Sequence, residues 1–518
     1  MECFPSPAPL LPEILALHGK WRASHPAVLC GDTTLDWAAF CAANHRFAHG
    51  LLSRGIGPGD RVGIVMGNGL SMVQALFGTL AAGAVSVPLN LSVGDEALVA
   101  MLADAGIRAL VVTADQQPRL EAQRGRLPAD LVVYLTDGPA AEGWESLDAF
   151  CRDQPMTRPA VELAADDPLN IIYSSGTTGL PKGIVHSQRG RRDWAYDLAI
   201  ALRYHGGART LLTIGLYSNI SWVAMLTTLL AGGTLVVHAR FDADAVLDAI
   251  EGDGITHTAM VPIQWQRLMA AQARRPRDLS GMQAMMSCGS PLRESLKRAI
   301  FAAFPCGIVE LYGLTEGIIT TLEPEDADGR WESVGKPLIG TDLLILGDDD
   351  APCPPGTAGE IVSRGRITMP GYWRRPDATA EARYLDGDGR LWLRSGDIGY
   401  VDDAGFLFIV DRKKDMILSG GQNIYPQDIE AVLVASPQVE DAAVIAARSE
   451  RWGETPLGLV VPAGDDLDTA ALLAWANARL GRQQRLADLL AVAELPRNPN
   501  GKLLKRELRA RYGDRSYD

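Results

Sequence analysis

The sequence predicts an α/β fold with several domains or subdomains, and two observations support this prediction. The chain has 518 residues, 47% hydrophobic and 22% charged, which leaves room for two to four domains or subdomains at roughly 150 residues each. Two long stretches, residues 62–94 and 210–239, contain no Asp, Glu, Lys or Arg, but Gly, Asn and Ser interrupt both. The interruptions divide each stretch into an apolar strand, a helix and another apolar strand rather than one membrane-spanning helix. Continuous apolar strands that alternate with helices are typical of parallel sheets buried on both faces.

The predicted elements follow this alternating order along the chain. The first stretch predicts a strand at 63–66, a helix at 72–82 and a strand at 85–88, and the second a strand at 211–214, a helix at 222–230 and a strand at 235–237. Two further apolar runs, bounded by polar or turn-rich sequence, predict strands at 109–112 and 131–134. A large layered domain therefore fills most of the chain.

The sequence pattern changes near residue 341, where short strands alternate with turns rich in Gly, Asp and Pro. This pattern predicts an antiparallel or barrel-like subdomain over about 341–410. A second change comes at the charged run Asp-Arg-Lys-Lys-Asp of residues 411–415, the best interdomain linker in the sequence. The remaining residues predict a small α/β unit, whose tail from 476 to 518 holds ten Lys and Arg residues against five Asp and Glu.

The charge and cysteine content bear on partners and compartment. The net charge of −14 gives no overall basic field that would attract nucleic acid or an anionic membrane. The seven cysteines are scattered and form no Cys-x-x-Cys pair, which fits free thiols in a reducing cytoplasm. The N-terminal Met-Glu-Cys-Phe-Pro lacks the basic and apolar regions of a signal peptide. We therefore expect a cytoplasmic protein with no membrane span and no nucleic-acid partner.

The most informative motif is Tyr-Ser-Ser-Gly-Thr-Thr-Gly-Leu-Pro-Lys-Gly at residues 173–183, which follows an apolar run. Its glycines allow backbone N–H groups to approach a polyanion, its hydroxyls donate further hydrogen bonds, and Lys182 adds a positive charge. It is not the usual P-loop, because Pro181 precedes the lysine and Gly183 follows it. The motif predicts a phosphate-binding loop, and a Ser/Gly-rich linker is the less favoured interpretation.

Three later motifs are weak individually. Residues 310–316, Glu-Leu-Tyr-Gly-Leu-Thr-Glu, place a hydroxyl beside a carboxylate at a strand end, and such a carboxylate suits Mg²⁺. Residues 394–397, Arg-Ser-Gly-Asp, end a short aromatic strand at a predicted tight turn, where a carboxylate suits a ribose diol. Residues 495–502 form a loop that presents Lys502 after a glycine. Each is more often an ordinary turn or a solvated tail when it occurs alone.

The four motifs in this order resemble the adenylate-forming superfamily of acyl- and aryl-CoA synthetases, peptide-synthetase adenylation domains and firefly-type luciferases. Further family-like segments are residues 55–62, 80–88, 288–292, 359–360, 371–372 and 419–424. The resemblance covers nearly the whole chain. It implies a large N-terminal domain, residues 1–412, of two doubly wound α/β subdomains and a small β-barrel, followed by a small mobile α+β domain, residues 413–518.

The resemblance also implies roles for particular residues, with ATP, Mg²⁺ and coenzyme A as cofactors. The residues that would hold the β- and γ-phosphates are Ser174, Ser175, Gly176, Thr177, Thr178 and Lys182. Those that would contact adenine or the α-phosphate are Gly289, Ser290, Pro291, Tyr312, Gly313 and Thr315. Glu316 would ligate Mg²⁺, and Asp397 with Arg412 would bind the ribose. Lys502 would catalyse adenylation, and Lys414 would be a hinge. Ser419, Gly420 and Gly421 would form a loop on the CoA side.

The acid-binding pocket is the part in which this chain departs from its relatives. Where relatives often have an aromatic residue and a histidine, this chain has Leu-Tyr-Ser-Asn at residues 216–219. The candidate pocket walls are mostly apolar and partly aromatic, and comprise Tyr217, Trp222, Met260, Trp265, Gly313, Ile318 and Ile319. An uncharged acid tail is implied, although ordinary core packing explains the two tryptophans equally well.

These observations predict an acid–CoA ligase that adenylates a hydrophobic carboxylic acid and then transfers the acyl group to CoA. An aromatic or aryl-alkyl acid is favoured over a medium-chain or long-chain fatty acid. One alternative is a stand-alone adenylation enzyme that loads a carrier-protein thiol, and another is a nucleotide-binding scaffold without catalysis, for which Lys502 would have no use. A zinc site at His45 and His49, four residues apart on a predicted helix, lacks a third ligand. We expect a monomer or a homodimer.

Overall fold

The structure is a computed structural model that describes residues 8–174, 181–419, 422–464, 467–482, 484–497 and 501–517. The chain divides into two compact units. Unit one comprises Met1–Trp331, Pro337–Asp342 and Arg364–Leu393, and unit two comprises Glu332–Lys336, Leu343–Ser363 and Arg394–Asp518. No helix of the described ranges is long and apolar enough to cross a membrane.

Helices and strands alternate through the first part of the chain. They are α1 (Leu11–Trp21), β1 (Pro26–Cys30), β2 (Thr33–Asp36), α2 (Trp37–Ser53), β3 (Arg61–Val65), α3 (Leu70–Ala81), β4 (Val85–Pro88), α4 (Asp95–Ala105), β5 (Ala109–Val112), α5 (Gln117–Glu121), β6 (Val133–Thr136), β7 (Glu145–Ser146), α6 (Leu147–Arg152), β8 (Pro168–Tyr173) and β9 (Gly183–Ser187).

The alternation continues to residue 337. The elements there are α7 (Gln188–Ala201), β10 (Arg209–Leu212), α8 (Asn219–Ala231), β11 (Thr234–Val237), α9 (Ala243–Gly252), β12 (His257–Met260), α10 (Pro262–Arg274), β13 (Ala284–Ser287), α11 (Glu294–Ala303), β14 (Val309–Gly313), β15 (Ile319–Leu322) and β16 (Lys336–Pro337).

Strands predominate in the rest of the chain. The elements are β17 (Thr341–Leu346), β18 (Gly359–Gly365), β19 (Gly371–Tyr372), α12 (Pro376–Glu381), β20 (Arg383–Leu385), β21 (Leu391–Val401), β22 (Leu407–Arg412), β23 (Ile417–Ser419), β24 (Gln422–Ile424), α13 (Pro426–Val434), β25 (Val439–Ser449), β26 (Gly453–Pro462), α14 (Thr469–Asn477), β27 (Asp488–Ala491), α15 (Lys505–Tyr512) and β28 (Ser516–Tyr517).

Two large sheets, mostly parallel, form the framework of unit one. The first has the strand order β19-β9-β8-β4-β3-β5-β6-β7. The second has the order β16-β15-β14-β13-β12-β10-β11-β1-β2. The two predicted strand–helix–strand stretches are confirmed as β3-α3-β4 and β10-α8-β11, and in both the two strands pair in parallel.

Alternate side chains of these strands point into different cores. Ile64 of β3 and Val237 of β11 belong to one core that both sheets share. Val85 of β4 belongs to a core on the other face of the first sheet, packed with residues of α4. Val236 of β11 belongs to a core on the other face of the second sheet, packed with residues of α9 and α10. Each sheet is therefore covered on both faces, as a doubly wound fold requires.

Two predicted strands are shifted by two residues: the one at 211–214 begins earlier, as β10 (Arg209–Leu212), and the one at 131–134 begins later. The apolar run at 131–134 predicts a strand there, whereas β6 spans Val133–Thr136 and pairs with β5 from Val133 onward. Leu131 still closes a turn, because its N–H donates to the carbonyl of Pro128, and Val132 is 55% exposed. The pairing with β5, rather than the run of apolar residues, sets where the strand begins.

The predicted antiparallel character after residue 341 is confirmed, with one difference. Strand β21 pairs in antiparallel register with β20 at one end and with β22 at the other. The predicted tight turn at residues 394–397 is absent, because these residues lie inside the eleven-residue strand β21. Gly396 has φ +69°, a value that suits glycine, so the sequence Ser-Gly-Asp marks an irregularity within a continuous strand.

The C-terminal part of unit two is a separate small α/β layer. Its sheet has the order β24-β23-β26-β25-β28, with β27 beside β26. One core packs α13 and α14 against this sheet, and a second core includes Leu508 of α15. The charged run at 411–415 comprises the last two residues of β22 and the turn that leads toward β23.

Candidate active site

The base of the phosphate-loop motif is firmly held. Strands β8 and β9 pair in antiparallel register at its two ends, and the Ser174 N–H donates to the Lys182 carbonyl at 3.0 Å. The Tyr173 hydroxyl donates to the Asp104 carboxylate at 2.7 Å. The predicted phosphate-binding residues Ser175, Gly176, Thr177 and Thr178 lie outside the described residues. Lys182 lies at the described base of the motif.

Thr315 and Glu316 lie on the tight connection between β14 and β15. The Leu314 N–H donates to the Ile318 carbonyl at 3.0 Å, and the Gly317 N–H donates to the Leu314 carbonyl at 3.1 Å. The Glu316 carbonyl accepts a hydrogen bond of 2.8 Å from the Met369 N–H. These bonds fix the backbone that presents the two predicted phosphate and Mg²⁺ ligands.

A buried polar network also holds the backbone of Thr315. His186 of β9 bonds through Nε2 to the Thr315 carbonyl at 2.8 Å, and its Nδ1 is 3.2 Å from a guanidinium nitrogen of Arg191. Burial and the charge of Arg191 lower the His186 pKa well below its usual value. A neutral imidazole that donates from Nε2 and accepts at Nδ1 satisfies both bonds. His186 therefore links Arg191 to the backbone of Thr315 through two hydrogen bonds.

Arg191 is only 1% exposed, yet no described carboxylate forms an ion pair with it. Its guanidinium donates to the side-chain oxygens of Asn170 and Asn219, at 3.1 and 2.8 Å. It also lies over the indole rings of Trp194 and Trp222, at 4.6 and 5.4 Å from their centroids. Burial lowers its pKa to about 9. Neutral dipoles and aromatic faces thus offset the desolvation of this cation.

The predicted adenine-contacting residues Gly289, Ser290 and Pro291 form the loop between β13 and α11. The loop ends at Leu292, whose N–H donates to the Glu310 carboxylate at 3.2 Å. Glu310 pairs with Lys297, and both side chains are buried. The loop is therefore anchored to β14, the strand that also carries Tyr312 and Gly313.

The candidate acid-pocket residues do not all lie together. Trp222 and Ile319 belong to the core that the two sheets share, and Tyr217 packs against it. Met260 and Trp265 belong to the core on the opposite face of the second sheet. Ile318 lies in a separate small cluster with Tyr312 beside it.

Tyr217 owes its position to a glycine. A Cβ atom at Gly215 would lie 2.2 Å from the Tyr217 ring, so only glycine allows the ring to fold back over the chain.

The predicted residues of unit two form a second group. The carboxylate of Asp397 is 3.3 Å from Nε of Arg412, and the two residues face each other across β21 and β22. Burial and the nearby charges of Arg412 and Lys414 lower the Lys502 pKa to about 8. Ser419 ends β23, and Gly420 and Gly421 lie outside the described residues.

The pair His45 and His49 has another role in the described structure. Both lie on α2, and each bonds a backbone carbonyl, His45 to Met156 and His49 to Thr157, both at 2.9 Å. Within the described ranges there is no group of three or more His, Cys, Asp and Glu side chains that could hold a metal ion.

Sequence reasoning missed the network around His186 and Arg191. Its members come from β8, β9, α7 and α8 and share no motif, so only the folded chain brings them together. It also noted Tyr372 only as part of a family-like segment, although this side chain contacts both Lys182 and Glu316.

Comparison with known proteins supports the resemblance over nearly the full chain. The family model of the AMP-binding enzyme matches residues 18–373, and that of the AMP-binding enzyme C-terminal domain matches residues 428–502. Feruloyl-CoA synthase of an Amycolatopsis species is 36% identical over 492 residues, which cover 94% of this chain and 96% of that protein. Long-chain-fatty-acid–CoA ligase FadD13 of Mycobacterium tuberculosis is 33% identical over 483 residues, which cover 93% and 94%.

The solved structures agree with the sequence relatives. The crystal structure of ATP-bound MatB from Rhodopseudomonas palustris aligns with a TM-score of 0.87 at 27% identity, covering 97% of this chain and 99% of that chain. The predicted α/β fold and the resemblance to adenylate-forming enzymes are thereby confirmed. The chain belongs to the family of AMP-binding enzymes.

Proposed function

We propose that this protein is an AMP-forming acid–CoA ligase. It first joins a carboxylic acid to the α-phosphate of ATP, releasing pyrophosphate, and then transfers the acyl group from acyl-AMP to the thiol of CoA. The observation that carries the proposal is the position of Lys502, which lies near Asp397 and Arg412 within one unit. A nucleotide-binding scaffold would not need a lysine beside its ribose-binding pair.

Charge explains why the first step needs these residues. When the acid attacks ATP, two anions approach each other, and at about 4 Å this repulsion costs roughly 1 to 4 kcal/mol. Lys502 offsets the charge between carboxylate and α-phosphate, and Lys182 offsets the charge on the departing pyrophosphate. Thr315 donates its hydroxyl to the α-phosphate, and the bond from His186 to its carbonyl holds the residue in place.

Glu316 is suited to Mg²⁺. A carboxylate is a hard oxygen ligand, and Mg²⁺ prefers one or two such ligands together with water and nucleotide phosphates. One oxygen of Glu316 accepts a hydrogen bond from Tyr372, which orients the carboxylate and leaves its other oxygen for the ion. The bound ion would neutralise charge on the phosphates.

The remaining candidates bind the nucleoside. Asp397 accepts hydrogen bonds from the ribose hydroxyls, while Arg412 holds the carboxylate in place. The loop of Gly289, Ser290 and Pro291 frames adenine together with Tyr312.

The second step needs a different surface at the acyl group. We propose that residues 413–518 form a mobile domain that rotates about Lys414 relative to residues 1–412. The rotation withdraws Lys502 and brings the loop of Ser419, Gly420 and Gly421 toward the CoA thiol.

The favoured substrate is an aromatic or aryl-alkyl acid, for which the partly buried ring of Tyr217 supplies aromatic surface, whereas Trp222 is fully buried in the core. Feruloyl-CoA synthase, by its name, is a relative that supports this choice. A fatty acid is the second candidate, supported by the relative named as a long-chain-fatty-acid–CoA ligase.

The compartment and assembly belong to the same proposal. The six cysteines within the described ranges are free thiols, which suits a cytoplasmic enzyme. We propose a monomer or a homodimer.

The test is incubation with ATP, Mg²⁺, CoA and a panel of aryl, aryl-alkyl and straight-chain fatty acids, followed by mass spectrometry. We expect AMP and an acyl-CoA, with the highest kcat/KM for an acid that carries a ring. Formation of ADP instead of AMP would contradict the proposal. Acyl transfer to a carrier-protein thiol but not to CoA would favour the alternative enzyme class.

A further inference from the structure

Tyr372 lies between two charged side chains of the candidate site. The ammonium of Lys182 is 4.9 Å from the centroid of its ring. Its hydroxyl donates to Oε1 of Glu316 at 3.0 Å. One side chain therefore holds a cation on its face and a carboxylate at its tip, and within the described residues Lys182 and Glu316 form no ion pair with each other.

The backbone around Tyr372 is tied to both charged partners. Strand β19 pairs with β9, with Tyr372 opposite Ile184, and the Trp373 N–H donates to the Gly183 carbonyl at 2.7 Å. Three residues before Tyr372, the Met369 N–H donates to the Glu316 carbonyl at 2.8 Å. The segment 369–373 thus spans the gap between the lysine and the carboxylate.

Tyr372 itself has little freedom. Its N–H donates to the Thr379 hydroxyl at 3.0 Å, and that hydroxyl donates to the Arg375 carbonyl at 2.8 Å. Its hydroxyl donates to Oε1 of Glu316, so the residue is held both at its backbone and at the tip of its side chain.

The geometry has an electrostatic consequence. A lysine and a carboxylate this close to one ring would attract each other, and a direct ion pair between them would compete with the phosphates for Lys182 and with Mg²⁺ for Glu316. The ring face gives the lysine one partner and the hydroxyl gives the carboxylate another, and each is a weaker partner than the opposite charge would be. A cation on an aromatic face is held less tightly than one in an ion pair with a carboxylate, so it remains available to phosphate.

We propose that Tyr372 is a positioning residue for adenylation, one that keeps Lys182 and Glu316 apart so that they remain free for the phosphates and for Mg²⁺. The inference rests on the proposed function, in which these two residues bind Mg²⁺ and ATP. The hydroxyl orients Glu316, the Mg²⁺ ligand, and the ring holds the ammonium of Lys182.

The two parts of the side chain can be tested separately by calorimetry. The probe is an ATP analogue with a methylene group between the α- and β-phosphorus atoms, titrated with Mg²⁺ or with a chelator. Tyr372→Phe keeps the ring, so binding without Mg²⁺ stays within twofold of wild type, whereas binding with Mg²⁺ weakens about tenfold through the lost charge-assisted bond. Tyr372→Leu also weakens binding without Mg²⁺, by about threefold to fivefold, because Lys182 then pairs with Glu316.

A rescue experiment distinguishes positioning from mere support of the fold. In Tyr372→Leu with Glu316→Gln, the competing carboxylate charge is gone, so binding of the analogue without Mg²⁺ returns toward the wild-type value. Tyr196→Phe, at a residue that is 41% exposed on α7, is the matched control and leaves both affinities unchanged. Melting temperatures of all variants show whether each one folds.

Two outcomes would overturn the inference. One is Tyr372→Phe with a wild-type response to Mg²⁺, and the other is a double variant that binds as weakly as Tyr372→Leu. If the wild-type protein binds the analogue but forms no thioester with any acid, the proposed ligase function fails, whereas the role of Tyr372 in binding the nucleotide and Mg²⁺ stands. If the wild-type protein does not bind the analogue, both fail.

Discussion

Lys502 has surroundings that oppose its positive charge. Burial and two neighbouring cations, Arg412 and Lys414, lower its pKa to about 8, while Asp397 and Asp415 act in the other direction. At neutral pH the ammonium form predominates, but it is held less firmly than a solvated lysine. An arriving carboxylate and α-phosphate would restore the balance, so the site favours anions before the nucleotide binds.

The lowered pKa of Lys502 predicts that the rate of adenylation falls at alkaline pH. We expect kcat/KM for ATP in pyrophosphate exchange to fall about tenfold per pH unit above about pH 8, because the neutral amine neither attracts nor stabilises the phosphate. In Lys502→Arg the guanidinium stays charged and the limit disappears, although the maximal rate is lower. The measurement is the pH profile between neutrality and mild alkali. An unchanged alkaline limit in Lys502→Arg would contradict the assignment.

The sequence motifs mark single candidate residues but not the contacts that support them. Lys182, Glu316 and Asp397 are recognisable because each lies in a compact run of unusual composition. Arg191 and His186 lie in no such run, and their importance depends on Asn219 and Thr315, which are distant in the sequence. A contact that joins separate elements leaves no local pattern, so only the fold could show it.

Helix α13 shows how one element depends on a residue of another. Its first residue, Pro426, has no N–H, and the N–H of Gln427 donates to the Asp411 carboxylate at 3.1 Å. Asp411 also accepts a bond of 2.6 Å from its neighbour Arg412 and is 1% exposed. Burial raises its pKa to about 6. This cap crosses Lys414, the proposed hinge, so rotation about Lys414 would break it.

We predict that Asp411→Ala destabilises the protein by about 1 kcal/mol, the usual value of a helix cap, and slows adenylation more than thioester formation. Asp411→Asn keeps an acceptor for Gln427 and removes the penalised charge, so its stability at neutral pH is close to that of wild type. Urea unfolding and the two half-reactions are the measurements. The control is Asp468→Ala, which removes the cap of α14 and should cost similar stability without changing the ratio of the half-reactions. An equal effect of both alanine variants on that ratio would contradict the role of Asp411.

Elements were predictable where local sequence and pairing agree. The apolar runs of β3 and β4 around α3 leave one interpretation, because both strands are buried on both faces. Strand β21 was predicted to end at a turn, since Ser-Gly-Asp is turn-like in sequence, but the strand continues through these residues and pairs with β22 from Asp397 onward. Tertiary pairing overrides local preference in such cases.

At the scale of the molecule, the candidate residues fall into two groups. Those for phosphate, adenine and acid belong to unit one, and Asp397, Arg412 and Lys502 belong to unit two. The proposed boundary at residue 412 lies within unit two. In the proposed mechanism both half-reactions use the residues of unit one. They differ in which C-terminal residues act, Lys502 in adenylation and the loop of Ser419, Gly420 and Gly421 in thioester formation.

We predict that Lys502→Ala abolishes adenylation but leaves thioester formation from supplied acyl-AMP largely intact, because the lysine acts only in the first step. The measurements are pyrophosphate exchange and the CoA-dependent consumption of acyl-AMP. Equal loss of both half-reactions would rule out this assignment.

A second variant tests the hinge itself. Lys414→Pro restricts the backbone at the pivot, so we expect a slower thioester step and a smaller effect on adenylation. Alanine at the same position is the control, since it removes the side chain without fixing the backbone. Unchanged thioester kinetics in the proline variant would argue against a hinge at this residue.

The pairing of β1 with β11 constrains how the chain is made. Val28 faces Leu235, and His18 of α1 bonds the Leu230 carbonyl at 2.9 Å. The ribosome must therefore synthesise the chain to residue 237 before β1 has its parallel partner. Strands β3 to β7 of the first sheet are synthesised between the two. During that interval β1 can pair with β2 on one edge, but its other edge lacks its partner and stays exposed to other chains. Slow translation or early termination before residue 237 would then favour aggregation over folding.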